Sequence, residues 1–506
     1  MKSRLLALVA AAVLPVTLLV MSGRPLSPGL SGRLEEVGGA GPMVDVTAMH
    51  GNDELAFVSR GDLYLLDGAA SKVYEVPIAP GRTAVGPAFS PDGEWVAYRT
   101  ETDQVNPSDS QLWVARSNGT DRHQVTGADG YYGWGPVADL LAISTDSTYT
   151  QVLRRTIYRE SEAAKLELVS PTGTRRDLLS LPMPAKPVVW PPPGIWDAAW
   201  SPSGNAVAVA VDSFNTGSTI RSYPIDGAKP TTWFSISATA QLPGLCTSCG
   251  PGHTIAQLAG WWLKQGIGFW AFCCGSVHGN DSSALELVDR PGASPHIIGR
   301  TLSDGTTEAI SSASNGALAI VASSLGSGRS YGIGKEVETC SLSSGPCTSI
   351  PGASVWAGPG SLSCAPYCSQ WPAPGKPGSA VSLDPAWSPD GKLLAYVKSP
   401  SADTGGWPSL AWFDAHKLFV FDPATGRSTK LEGVSGVSVP TWSGDGRELL
   451  YVSDDALWLV PAQGGRAREV VSPLFLPSLW RDVGSSDRLS YYGQVDWTGQ
   501  FNWWSS

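Results

Sequence analysis

Apolar runs of four to eight residues recur along the whole chain, separated by clusters of Gly, Pro, Asp, Asn and Ser. This pattern predicts short β-strands joined by tight turns, because a surface helix would need an apolar stripe at 3.6-residue spacing over a longer stretch. Helical stripes are scarce. Two of the runs are nearly the same phrase, "PAFSPDGEWVAY" at 87–98 and "PAWSPDGKLLAY" at 385–396. Looser copies stand at 199–211, "AWSPSGNAVAVAV", and at 441–452, "TWSGDGRELLYV".

Each residue type in "WSPDG" has a physical task. Pro389 presets the φ of a turn, Asp390 can bond nearby backbone, and Gly391 tolerates a φ that other residues resist. The following "KLLAYV" reads as a strand, and Trp387 offers a flat surface for packing between neighbouring sheets. A unit of this kind cannot bury both its faces alone, so copies must stack on one another.

A second landmark follows each phrase: a strand such as "QLWVAR" or "KLFVFD", then a turn that often holds Gly. Searching for both together predicts eight units, with first landmarks at Met49, Phe89, Trp134, Trp200, Trp262, Ser312, Trp387 and Trp442. Four positions after each comes Asp53, Gly93, Ala138, Gly204, Gly266, Gly316, Gly391 or Gly446. The expected fold is therefore all-β, a β-propeller of four-stranded antiparallel blades over residues 44–473. Eight blades are expected, or seven should a unit at Trp134, Trp262 or Ser312 fail. The phrase "PAWSPDGKLLAY" and its partner resemble the WD40-like (PD40) repeats of TolB-type β-propellers. That resemblance implies an exported propeller scaffold of TolB type and no particular chemistry, since such blades serve many activities, and an envelope role is suggested only together with the N-terminal export pattern described below.

With 57 Gly and 40 Pro among 506 residues and only 16% charged, composition agrees with many turns. A formal net charge of −10 sets aside sequence-independent nucleic-acid binding, which needs a basic surface. At the N-terminus, Lys2 and Arg4 precede an uncharged run from Leu5 to Met21. A basic start and an apolar core predict an export signal over residues 1–22, either cleaved or kept as an apolar anchor helix in the membrane. Residues 23–43 read as a Gly/Pro/Ser-rich linker, and 474–506 as an aromatic tail. In that tail Trp497, Phe501, Trp503 and Trp504 either close the ring against the first blade or dock a partner.

With the strands of each blade lettered A to D, antiparallel pairing sends the A–B and C–D connections to one end of the ring and the B–C and D–A connections to the other. The long excursions, at 100–111, 144–165, 399–416, 181–196, 228–257 and 347–383, all belong to the second kind. That end is the expected working face, because loops on a rigid scaffold carry binding. Its candidate binding residues are Trp190, Trp371, Asp403, Trp407, Trp412, Asp414 and His416, with Trp rings expected partly exposed beside carboxylates to stack on a sugar. A self-packed loop is the bland alternative for 399–416.

Cys246, Cys249, His253, Cys273, Cys274 and His278 supply enough N and S ligands for zinc. In an exported chain with eight Cys, disulfides compete with that reading. Cys340 with Cys347 and Cys364 with Cys368 read as local staples, leaving Cys246, Cys249, Cys273 and Cys274 to pair among themselves. The Gly-x-Ser-x-Gly match "GRSYG" at 328–332 lies inside the repeat region, without the strand-to-helix pattern of a hydrolase domain that a nucleophile elbow needs, and no cofactor is implied. The expected function is a noncatalytic, monomeric scaffold that holds an envelope protein or glycan. The alternative is a carbohydrate-active lyase or hydrolase with its site in the central channel.

Overall fold

The computed structural model describes residues 35–36, 41–102, 110–126, 132–145, 148–151, 157–162, 164–181, 188–189, 194–213, 217–237, 254–262, 266–273, 285–298, 302–303, 309–323, 335–340, 347–350, 380–400, 410–431, 434–474, 497 and 499–505. These residues build eight antiparallel blades in a propeller ring. The innermost strands A are Phe501–Trp504, Arg82–Phe89, Tyr132–Trp134, Gly194–Trp200, Thr254–Trp262, Ile310–Ser312, Ala380–Trp387 and Ser438–Trp442, for blades 1 to 8. Seven of the eight first landmarks end a strand A, and every second landmark lies in a strand C. The residues 5–21, expected as an apolar helix, lie outside the described residues.

Met49 is the exception and a correction. It sits in a turn before Glu54–Ser59, and the strand that pairs with the inner edge of Glu54–Ser59 comes from the C-terminus, with Phe57 opposite Phe501 and Glu54 opposite Trp504. Blade 1 thus takes its strand A from the far end of the chain. Blade 8 is extended in the opposite sense. Met43–Val44 pairs with the outer strand Arg468–Ser472, and Glu35–Glu36 pairs with Met43–Val44 in turn. Both ends of the described chain therefore bond across the seam between blades 8 and 1.

The blades are apolar on both faces because each is packed between two neighbours. In blade 2, Val96 and Tyr98 pack toward blade 1 with Ala56, Val58 and Leu65, while Ala97 and Val114 pack toward blade 3 with Leu141 and Ile143. The same arrangement continues round the ring and closes where Leu450, Val452 and Leu459 of blade 8 meet Leu55, Phe57 and Leu66 of blade 1. The landmark Trp residues bridge these interfaces. Trp134, Trp200 and Trp442 each donate an indole N–H to the carbonyl of the preceding blade, at Ala88, Gly133 and Ala386, at 2.8 to 2.9 Å. A flat ring between sheets buries area, and the bond satisfies its one polar atom.

The repeated turn is a closed hydrogen-bond unit. In blade 7 the Ser388 hydroxyl donates to Asp390 Oδ1 at 2.8 Å and accepts the Leu393 N–H at 2.9 Å, while Asp390 Oδ1 accepts the Lys392 N–H at 3.1 Å. Blades 2 and 8 repeat it with Ser90 and Asp92, and with Ser443 and Asp445. Lys392 and Ser388, in that order, hold the Asp390 carboxyl down to about 2. These carboxylates are turn caps, and the buried Ser is the hub of each turn's bonds.

The glycine that ends the phrase has two constraints. Gly93 has φ +77°, and a Cβ built there would lie 2.8 Å from the Trp504 ring of blade 1. Gly391 has φ +67° and would meet the Asn315 amide of blade 6 at 2.7 Å. Gly93→Ala is therefore expected to cost about 2–4 kcal/mol in urea denaturation, from left-handed backbone plus overpacking. Gly51→Ala provides the comparison, since φ is +60° but nothing lies within 4 Å, and only the backbone cost of about 1–2 kcal/mol should remain. Equal losses at the two sites would refute the interlocking.

Candidate functional site: the loop-bearing end

The two ends of the ring differ in kind. Excluding the seam of blade 1, the A–B and C–D connections span only three to seven residues. Their A–B turns interlock from blade to blade: Ser314 donates to the Pro389 carbonyl, Asn315 to that of Gly391, and the Ser505 hydroxyl accepts the Gly444 N–H. A shallow groove of ≈ 870 Å³ lies over this collar between Ser388–Leu393, Asp422–Ala424 and Gly444–Gly446. Its Asp422 and Asp445 carboxylates are occupied in capping Ala424 and Arg447 N–H groups.

At the other end stand the inserted segments. The B–C connection of blade 3 carries a hairpin, Thr148–Gln151 with Ile157–Glu162, and the D–A connection to blade 4 adds Val188–Val189 to it. Ile157 faces Val189 and Tyr158 faces Val188. Backbone pairing thus joins a B–C to a D–A excursion, which places both on the same end.

Around the channel the innermost strands share one irregularity. Bulges occur three residues before the landmark, at Gly86 and Pro87, at Asp384 and Pro385, and at Val439 and Pro440. Gly86, Asp384 and Val439 have φ of 63°, 49° and 48°. A bulge turns one peptide out of the ladder, and here that peptide bonds a neighbouring blade. Gly86 N–H donates to the Gly499 carbonyl at 2.8 Å, Val439 N–H to Asp384 Oδ2 at 3.1 Å, and the Tyr132 hydroxyl to the Gly86 carbonyl. In blade 4 this position holds Asp197, half-buried, with Oδ1 accepting the Ala198 N–H at 2.8 Å. Burial pushes its carboxyl up to about 7. Glu286, on strand C of blade 5, is likewise pushed up to about 7 by burial, and its Oε1 has no described partner.

Of the expected binding residues, Trp190, Trp371, Asp403 and Trp407 lie outside the described residues. The other three form the end of the 399–416 connection, where the short helix Leu410–Asp414 precedes strand C of blade 7. Asp414 is exposed. Trp412 corrects the expectation of a partly exposed ring: it is 7% exposed, its indole N–H donates to the Pro400 carbonyl at 2.7 Å, and Phe413 stands edge-on to it at 5.1 Å. His416 is fully buried, 4.3 Å from the Trp412 ring. Its Nδ1 is 2.9 Å from the Val437 carbonyl, so Nδ1 carries the proton and Nε2 presents a lone pair with no described partner. Burial brings its pKa down to about 4. An apolar floor of Leu418, Leu431, Val434 and Val437 draws these rings inward, away from any stacking role in this conformation.

Cys340 and Cys347 are joined by a disulfide across the C–D turn of blade 6. Cys246, Cys249, His253, Cys274, His278, Cys364 and Cys368 lie outside the described residues, as does the side chain of Cys273. Among the described residues no cluster of three His, Cys, Asp or Glu side chains is placed to hold a metal ion. Among them also, no helix is long and apolar enough to cross a membrane.

No family model matches the chain. It is 37% identical over 112 residues to an uncharacterized peptidase, YuxL, of Bacillus subtilis (strain 168), a match that spans 20% of this chain and 16% of the peptidase. Among solved structures it is similar to a prolyl endopeptidase, with TM-score 0.44 and 12% identity over 85% of this chain and 55% of that one. It is also similar to an oligogalacturonate lyase in complex with manganese, with TM-score 0.36 and 11% identity over 83% of this chain and 85% of that one. Likeness of this degree assigns neither substrate nor reaction. By its own strand pairing the chain is an eight-bladed β-propeller, with short turns that interlock at one end and, at the other, a small sheet built from the B–C and D–A insertions of blade 3.

Proposed function

We propose that the chain is an exported, noncatalytic scaffold that holds a protein or a glycan of the cell envelope on its loop-bearing end. The asymmetry of the ring carries this reading: one end is occupied by turn-to-turn bonds, while at the other two inserted segments build a sheet of their own. Export draws on the basic and apolar N-terminal sequence. Trp407 is the anchor within 399–416, because the neighbouring Trp412 is committed to packing. The test is calorimetric binding of envelope polysaccharide and envelope protein fractions to the full chain. Trp407→Ala should weaken binding tenfold or more, equivalent to about 1.4 kcal/mol, with an unchanged melting temperature. Binding that survives Trp407→Ala but is lost on changing the "SNGTDR" and "DPATGR" turns would overturn the choice of face.

A carbohydrate-active enzyme is the second reading, and Asp197 is the observation that favours it. A carboxyl on an innermost strand with a pKa of about 7 is suited to general acid work near neutrality. Release of reducing ends or unsaturated sugars from an acidic polysaccharide, abolished by Asp197→Asn, would replace the noncatalytic reading.

A further inference from the structure

We propose that His416 is an acid-sensitive latch: with its ring neutral it holds the Leu410–Asp414 helix against blades 7 and 8, and protonation at Nε2 releases the helix and exposes Trp412 and Phe413 at the loop-bearing end. The geometry is that of a single clasp. His416 grips the 434–437 segment twice, by its Nδ1–H to the Val437 carbonyl at 2.9 Å and by its own carbonyl, which accepts the Gly436 N–H at 2.9 Å. The helix in turn leans on the imidazole, with Trp412 at 4.3 Å and Phe413 at 5.4 Å. On the far side Trp412 is tied to Pro400.

A proton arriving from solvent at Nε2 adds a charge and a new donor to a fully buried imidazole that lies against the Trp412 and Phe413 rings. An uncompensated buried cation is costly, and moving the helix outward hydrates it. Among the described residues no charged side chain contributes to the His416 shift, whose causes are burial and then the opposing Val437 carbonyl. Nearby charged groups are otherwise directed: Asp414 is exposed, Lys398 of strand B lies 5.7 Å over the Phe419 ring, and Asp384 of strand A accepts the Val439 N–H. Lys417 follows directly on strand C and is half-buried.

The sign follows from the folded value near 4 and an unfolded value of about 6.5. Between these two, the open form binds more protons than the closed form, so closure is fully favoured above about pH 6.5 and weakens as pH falls toward 4. From about pH 7.5 to about pH 4.5 the opening equilibrium should rise roughly seventyfold.

Hydrogen exchange of the full chain, corrected for intrinsic rates, tests this by peptide. Residues 410–416 should lose protection by that factor on acidification, while strands Leu394–Pro400 and Lys417–Asp422 keep theirs. His416→Gln and His416→Phe cannot take up the proton and should flatten the response. A flat wild-type profile, an unchanged response in either variant, or simultaneous loss of protection across all blades would overturn the latch. Should neither variant fold, the onset in the wild type decides, since a rise beginning only below about pH 4 belongs to carboxyl groups.

Discussion

Removing residues 501–506 is expected to open the ring and to destabilise the protein by about 5–8 kcal/mol, a large part of the stability of an ordinary domain. Strand A of blade 1 is lost with them, and with it four residues of ladder along Glu54–Phe57. Each ladder bond contributes a net of about 1 kcal/mol, and the buried Phe501 side chain adds about 2–3 kcal/mol. Leu55 and Phe57 would then border an unpaired sheet edge, which promotes aggregation. Chemical denaturation and light scattering of the truncated chain measure both effects. A synthetic peptide covering 497–506 should restore part of the loss when added in trans. A truncated chain with an unchanged denaturation midpoint would show that the C-terminal strand does not close the ring.

Trp412→Ala is expected to lower stability by about 3–5 kcal/mol, the range for truncating a buried indole. The substitution empties the space between Phe413 and His416 and leaves the Pro400 carbonyl without its donor. It should act on stability first and on binding only through the misplaced helix, the reverse of Trp407→Ala. A midpoint shifted by less than about 0.5 kcal/mol would place the Trp412 ring at the surface after all.

The loop-bearing end was legible only as a class of connections. Pairing rules alone say that B–C and D–A segments share an end, and the pairing of Ile157 with Val189 agrees. Which side chains of those segments stand free was not legible. Trp412 and Asp414 lie two apart in the same helix, and one is buried while the other is exposed, because Pro400 and the 434–437 segment approach from one side only. His416 reads in sequence as a surface ligand beside Asp414, yet the Val437 carbonyl twenty-one residues on fixes its tautomer and encloses it.

The blade is encoded locally. Ser, Asp and Gly within five residues close a turn through bonds confined to that turn, and the two flanking apolar runs define strands whatever lies around them, so eight units could be counted from local pattern alone. The contacts between units, by contrast, depend on the assembled ring. Gly93 is constrained by Trp504, more than four hundred residues away, and Gly391 by Asn315 of the preceding blade. The place given to Met49 belongs to Phe501–Trp504, because the edge of Glu54–Ser59 is filled by whichever strand the closed ring delivers there. Local hydrogen bonds act over a few residues and leave their mark in the sequence, whereas ring closure pairs segments whose separation along the chain carries no signal of their meeting.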